Sequence, residues 1–162
     1  ERRSNLGLTV SATTRAPRKG EVDGVNYFFL TREEFDRRVA NGEFVEWAEV
    51  HGNCYGTLVS EVTSKLASGA SLILEIDVQG ALQVKERFPE AVLIFIKPPS
   101  LEVLRERLVG RGTETPETIE LRMANAADEL ALADRYDDVV VNDDLDRATD
   151  ELVRVLDMHE RI

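Results

Sequence analysis

The stretch LILEIDVQG, Leu72 to Gly80, decides the class of fold. Leu72, Ile73 and Leu74 run almost unbroken through Glu75 and Ile76 to Asp77. Such a run predicts a strand buried on both faces, the pattern of a parallel sheet. Gln79 to Arg87 then reads as a crossover helix, and Ala91-Val92-Leu93-Ile94-Phe95-Ile96 repeats the buried-strand pattern. Strand, helix and strand in that order predict an α/β protein with a parallel core sheet.

Glu75 and Asp77 end the first of these strands, and in open α/β sheets the ligand crevice lies beyond the strands' carboxyl ends. Acids there orient substrate or hold a metal through water. Asp77 has an alternative role as the cap of the helix that follows.

Toward the C-terminus, Ser100 caps a helix over Leu101 to Val109, and Pro116 opens another at its first position. Asp138 to Val141 predicts a third buried strand, and Leu145 to His159 a closing amphipathic helix. Arg107 and Arg111 straddle Val109-Gly110, and RGTETP, Arg111 to Pro116, has the polar, glycine-bearing composition of a lid. Arginines so placed neutralise charge on a transferring phosphoryl group. Arg122 follows on the next helix, where an ordinary surface arginine is the alternative.

Toward the N-terminus, Leu8-Thr9-Val10 and Tyr27 to Leu30 are short β-favouring runs. Thr31 to Glu34 is a capping box that opens a helix carrying Phe35 and Val39 and stopping at Asn41-Gly42. Phe44 to Val50 alternates as a strand with Glu46 and Trp47 on opposite faces, Tyr55-Gly56-Thr57 reads as a turn, and Leu58 to Ser68 as a helix before Gly69. The region from about Tyr27 to Gly56 thus predicts a small, more antiparallel insertion beside the core.

Between the first two runs lies SATTRAPRKGE, Ser11 to Glu21, dense in hydroxyls and cations. Arg15 and Arg18 on an irregular loop offer two planar forks suited to a phosphate. Surface salt bridges on a solvated loop are the alternative. Tyr27 and Tyr55 can donate to a phosphate oxygen, or simply pack. Glu46 sits in Phe44-Val45-Glu46-Trp47, where a carboxylate without a partner is costly. Its two oxygens match the adjacent N1–H and amine of guanine, although spacing alone favours an outward-pointing strand residue.

The 162 residues carry 31 acidic and 20 basic side chains, a net charge of -11. That balance argues against general nucleic-acid binding, which needs a basic footprint. No apolar run is long enough to span a bilayer. With Cys54 the single cysteine and only two histidines, an internal disulfide and a typical zinc site are excluded, which favours a reducing compartment. The chain begins at Glu1 rather than Met and no signal peptide is visible, so the expectation is a start inside a longer protein or after a removed segment.

Together the segments SATTRAPRKGEVDGVNYFF, EFVEWAEVHGNCYGT, LILEIDVQG, LIFIKPPS, RLVGRGTE and VVVNDDL resemble the guanylate kinase family, from Ser4 to about Met158. The resemblance implies a P-loop kinase core with a parallel sheet, a small mixed α/β GMP-binding insertion and a helical lid. It implies one domain over residues 1–162, with GMP binding in 11–70, core in 71–106 and 137–162, and lid in 107–136. The reaction implied moves the γ-phosphoryl group of ATP to GMP, giving ADP and GDP, with Mg²⁺, in purine nucleotide metabolism and GMP recycling. Ser11, Arg15, Arg18, Tyr27, Glu46, Tyr55, Thr57 and Glu75 would bind GMP, Glu46 at the guanine N1–H and amine, Ser11 and Thr57 on its O6 side. Glu75 stands where some members carry Asp, a longer reach. Arg15, Asp77, Arg107, Arg111 and Arg122 would be catalytic, the last two pointing into solvent until the lid closes. Arg107, Arg111 and Asn142 would meet ATP. Mg²⁺ would have no direct protein ligand here, with Asp77 able to hold it through water. A cytoplasmic monomer or homo-oligomer, without nucleic-acid or membrane partners, is the accompanying expectation.

The family's G-x-x-x-x-G-K-[ST] loop and its strand, which cradle the ATP phosphates, do not occur among these residues. The expectation is a guanylate kinase whose N-terminal segment lies outside this sequence, and these residues alone are expected to be inactive. A scaffold module that binds phosphorylated peptides through the same arginines is the rival. Ser11, Glu46, Glu75, Asp77 and the lid arginines together oppose it. A kinase for another phosphorylated acceptor is opposed by Glu46.

Overall fold

The computed structural model describes residues 5–160. Ser4, where the resemblance begins, lies outside them. The chain divides into two units, the first ending at Pro89 and the second starting at Glu90.

In the first unit, β1 (Leu6–Leu8) pairs in parallel with β6 (Ser71–Ile73). Between them come β2 (Ala12–Thr13), β3 (Phe28–Phe29), α1 (Arg32–Ala40), β4 (Phe44–Val50), β5 (Asn53–Leu58) and α2 (Val59–Leu66). The order β3-β2-β5-β4 makes a mixed sheet, with β2–β3 parallel and the remaining pairs antiparallel. The start of the basic loop is therefore strand: Ala12 and Thr13 are fully buried between β3 and β5. Phe35 of α1 stacks on Phe44 at 4.5 Å and joins Ala12, Cys54 and Leu58 in the core. The predicted cap of α1 forms, with Thr31 Oγ1 accepting from the Glu34 amide, and Gly42 follows at φ 69°.

Two expectations change here. Tyr55-Gly56-Thr57 is not a turn but lies within β5; the hairpin turns at His51-Gly52, φ 52° and 80°. Positive φ at both central residues suits the twist of a two-residue hairpin. Of the predicted strand from Leu72 to Asp77 only Leu72 and Ile73 are strand, within β6. The ladder to β1 ends at Leu8↔Ile73, and the chain then leaves it to reach α3 (Val78–Arg87), which Asp77 caps.

In the second unit β7 (Ile94–Lys97) and β8 (Asp138–Val141) pair in parallel. They are joined by α4 (Leu101–Gly110), α5 (Pro116–Ala131) and a short 3₁₀ turn, and α6 (Leu145–Glu160) follows. Ser100 and Thr115 cap α4 and α5. The expected burial on both faces is incomplete, for Ile96 is 49% and Val139 38% exposed. α6 packs on Val140 and Ile94, and Tyr136 on Phe95, so the cover stops short of the other two side chains.

Candidate active site

A cleft of about 210 Å³ opens in the first unit, lined by Ser11, Tyr27, Glu46, Val50, Tyr55, Gly56, Glu75, Ile76 and Asp77. Six of these, Ser11, Tyr27, Glu46, Tyr55, Glu75 and Asp77, were nominated from sequence although they span the whole unit.

Glu46 is the buried charge of the cleft, 3% exposed, whereas Trp47 beside it is 39% exposed. The outward-pointing alternative is thereby excluded. Strict alternation would bury Phe44, Glu46 and Ala48; a bulge between Phe44 and Glu46 adds Val45 to the buried set. Thr57 Oγ1 donates to Glu46 Oε1 at 2.8 Å. Among the described residues no cation pairs with this carboxylate. Burial lifts its pKa from 4.5 to about 7, opposed by the Thr57 hydroxyl and reinforced by Asp77. Gly56 makes the close approach possible, because a Cβ there would lie 2.7 Å from the Phe44 ring and 2.9 Å from the Glu46 carbonyl.

Asp77 takes the helix-capping role, accepting at 3.2 Å from the amides of both Gln79 and Gly80. Its carboxylate still borders the cleft. Glu75, exposed, lines the same wall.

Arg15 lies at the tyrosine end. Its guanidinium sits 5.2 Å from the centre of the Tyr27 ring, and Tyr27 meets Tyr55 edge-on at 6.2 Å. Its fork donates to both oxygens of Glu21, at 2.9 and 3.0 Å, and Glu21 also accepts the Arg18 amide at 2.7 Å. That arrangement holds the Glu21 carboxyl at about 2 and raises the Arg15 pKa. Sequence reading missed Glu21; its signal was an acid placed three residues after Arg18, next to Gly20. The Arg18 guanidinium is exposed. Thr57, behind Glu46, is buried rather than lining the cleft.

The remaining nominated residues lie in the second unit. Arg107 donates to the Asp143 carbonyl at 3.3 Å, bringing it beside Asn142, which follows β8 and whose amide donates to the carbonyl of Lys97 at the end of β7. Arg111, the C-cap of α4, is exposed. Arg122 does not point into solvent as expected: it pairs with Glu114 at 2.6 Å, a carboxylate from the segment just before α5.

A family model described as guanylate kinase matches residues 1–159. The chain belongs to the guanylate kinase family. The guanylate kinase of Halalkalibacterium halodurans is 54% identical over 153 residues, 94% of this chain and 75% of that protein. The guanylate kinase of Gloeobacter violaceus is 56% identical over 156 residues, 96% of this chain and 76% of its own. The crystal structure of guanylate kinase from Anaplasma phagocytophilum superposes with a TM-score of 0.81 at 41% identity, covering 95% of this chain and 76% of that one. The α/β class expected from Leu72–Gly80 agrees with that fold.

Proposed function

We propose that the protein to which these residues belong phosphorylates GMP to GDP with ATP, the reaction of its family, and that the cleft around Glu46 is where GMP binds. The observation that carries the assignment is a buried carboxylate in the cleft without a cation partner among the described residues. Such a group is costly unless a ligand supplies donors. Guanine supplies two, N1–H and the 2-amine, in the parallel geometry a carboxylate accepts. Adenine presents a ring acceptor at N1 and would set lone pair against lone pair.

In this reading Ser11 faces the O6 side of the base and Glu75 borders it, while Thr57, expected on the O6 side, instead holds Glu46 from behind with its hydroxyl. The GMP phosphate meets Arg15, Arg18 and the phenols of Tyr27 and Tyr55, with Glu21 orienting the Arg15 fork. A phosphate oxygen of GMP then forms a bond to the γ-phosphorus of ATP. The bond from that phosphorus to the β–γ bridging oxygen breaks, and ADP leaves with the electron pair. Arg107, Arg111 and Arg122 neutralise the phosphoryl charge, and Asn142 lies toward adenine. Residues 11–70 would thus serve GMP, 107–136 act as lid, and 71–106 with 137–162 form the core.

Mg²⁺ would arrive with ATP and draw charge from its phosphates. Among the described residues no cluster of three acids, histidines or cysteines is built for a metal. Asp77 gives two lone-pair sites to helix amides and keeps the others for a water of the ion, so an outer contact fits. No described helix is long and apolar enough to cross a membrane. A cytoplasmic enzyme, monomeric or homo-oligomeric, acting on free nucleotides is the matching setting.

Calorimetry with GMP, IMP and AMP tests the assignment. GMP should bind best, IMP more weakly for want of the 2-amine, and AMP scarcely at all. Glu46→Gln should remove most of that ranking; an unchanged ranking would overturn the role of Glu46.

A further inference from the structure

We infer that Gly80 and Gln83 on α3 are specificity-determining positioning residues, setting where the Glu46 carboxylate stands in the cleft. The inference rests on the reading of Glu46 as the group that recognises guanine.

Gly80 lies in the first turn of α3 with an ordinary negative φ, so its backbone does not require glycine. Alanine would favour a helix there by about 1 kcal/mol. Space is what excludes it. A Cβ on Gly80 would overlap Glu46 Oε2, lie 3.0 Å from the Glu46 carboxyl carbon and 3.2 Å from Asp77 Oδ1. Glu46 cannot yield cheaply, because Oε1 is held by Thr57 and the side chain is buried. Moving Oε2 away from an added methyl means breaking that bond or swinging the carboxylate into the space the base is to occupy.

Gln83, three residues on, fixes the strand that carries Glu46. Its carboxamide accepts from the Trp47 amide at 3.1 Å and donates to the Trp47 carbonyl at 2.7 Å. An exposed side chain thus completes the outer edge of β4 as a neighbouring strand would. Arg87 continues the row, donating to the Phe44 carbonyl at 3.1 Å. Residues 80, 83 and 87 form one helical face, meeting residues 46, 47 and 44 of the strand. The Gly80 position sets the depth of the carboxylate, and Gln83 sets its place along the cleft.

The test uses Gly80→Ala and Gln83→Leu in the intact protein, with kcat and KM for GMP and ATP and the GMP-to-IMP ratio of kcat/KM. Gly80→Ala should raise the KM for GMP about tenfold or more and collapse the GMP-to-IMP ratio, with the KM for ATP within about twofold. Gln83→Leu should act in the same direction, more weakly, and keeps the question open to measurement should Gly80→Ala fold poorly. In a Glu46→Ala background Gly80→Ala should cost nothing further in GMP affinity, since the overlap is gone. The proposal is overturned by α3 variants that keep the wild-type ratio, by a parallel rise in the KM for ATP, or by additivity with Glu46→Ala. Should Glu46→Gln itself leave GMP recognition intact, the underlying reading fails instead, so the two failures are distinguishable.

Discussion

Thr57 Oγ1 donates a 2.8 Å hydrogen bond to Glu46 Oε1 where Thr57 is fully buried and Glu46 is 3% exposed. Among the described residues it is the one side-chain donor holding this carboxylate toward its ionised form. Thr57→Val should therefore lift the Glu46 pKa above its present value of about 7. The same change should weaken GMP binding about tenfold at neutral pH, the effect of losing a buried hydrogen bond to a charged group. Calorimetry across pH checks both, and an unmoved pH profile would contradict the role of the bond.

Glu46 also sets a conflict between stability and binding. Its carboxyl stands at about 7 in the fold against 4.5 ordinarily, raised chiefly by burial. Between those values the native state holds more protons than the unfolded chain, so stability falls as pH rises through the window. Glu46→Gln does not titrate and should be more stable than the parent at pH 8 by up to roughly 3 kcal/mol, with the gain fading toward pH 4. Urea denaturation at the two pH values decides it; an equal gain at both would refute the assignment. The parent's GMP affinity should fall as the pH drops below 7, because the protonated carboxyl loses an acceptor site.

Glu21 binds the Arg15 fork through both oxygens, yet its own carboxyl sits near 2. It therefore stays ionised throughout the range in which Glu46 titrates. Glu21→Gln should loosen the fork and weaken GMP binding several-fold. Guanosine, which lacks the phosphate, should bind the mutant as it binds the parent. Equal losses for both ligands would show that Glu21 acts on the fold rather than on the phosphate site.

The arginines of the second unit should separate in their effects. Arg111 is exposed, so Arg111→Ala should spare stability and GMP affinity while lowering kcat at least tenfold. Arg122 is tied to Glu114, one of whose oxygens is buried without a partner. Arg122→Ala should lower kcat and also destabilise the protein by about 1–3 kcal/mol, because it strands that acid. Thermal unfolding beside steady-state kinetics tests the contrast; matching stabilities would remove it.

Much of this was legible along the chain. Thr31, Ser100 and Pro116 mark their helix starts because caps are local, satisfied by amides within a turn. The order of the elements and the segments shared with guanylate kinases followed from residue identity alone. Asp77 was legible only as a pair of alternatives, and its bonds to Gln79 and Gly80 realise the capping one.

The sequence by itself determined the α/β class, the helix starts and the residue types assembled around the cleft. Tertiary structure alone decided that Glu46 is buried, that Tyr55 to Thr57 are strand rather than turn, and that Glu21 occupies the Arg15 fork. Period-two spacing says which residues share a face, not which face is covered. Phe44 is covered by Phe35 of α1 and Glu46 by Gly80 of α3, the helix whose Gln83 grips the Trp47 backbone across 36 residues of chain. The register of β5 comes from a hairpin whose turn falls at His51-Gly52, a pair without a strong turn signature. Long-range pairing of this kind depends on the mutual fit of distant segments, which no local window contains.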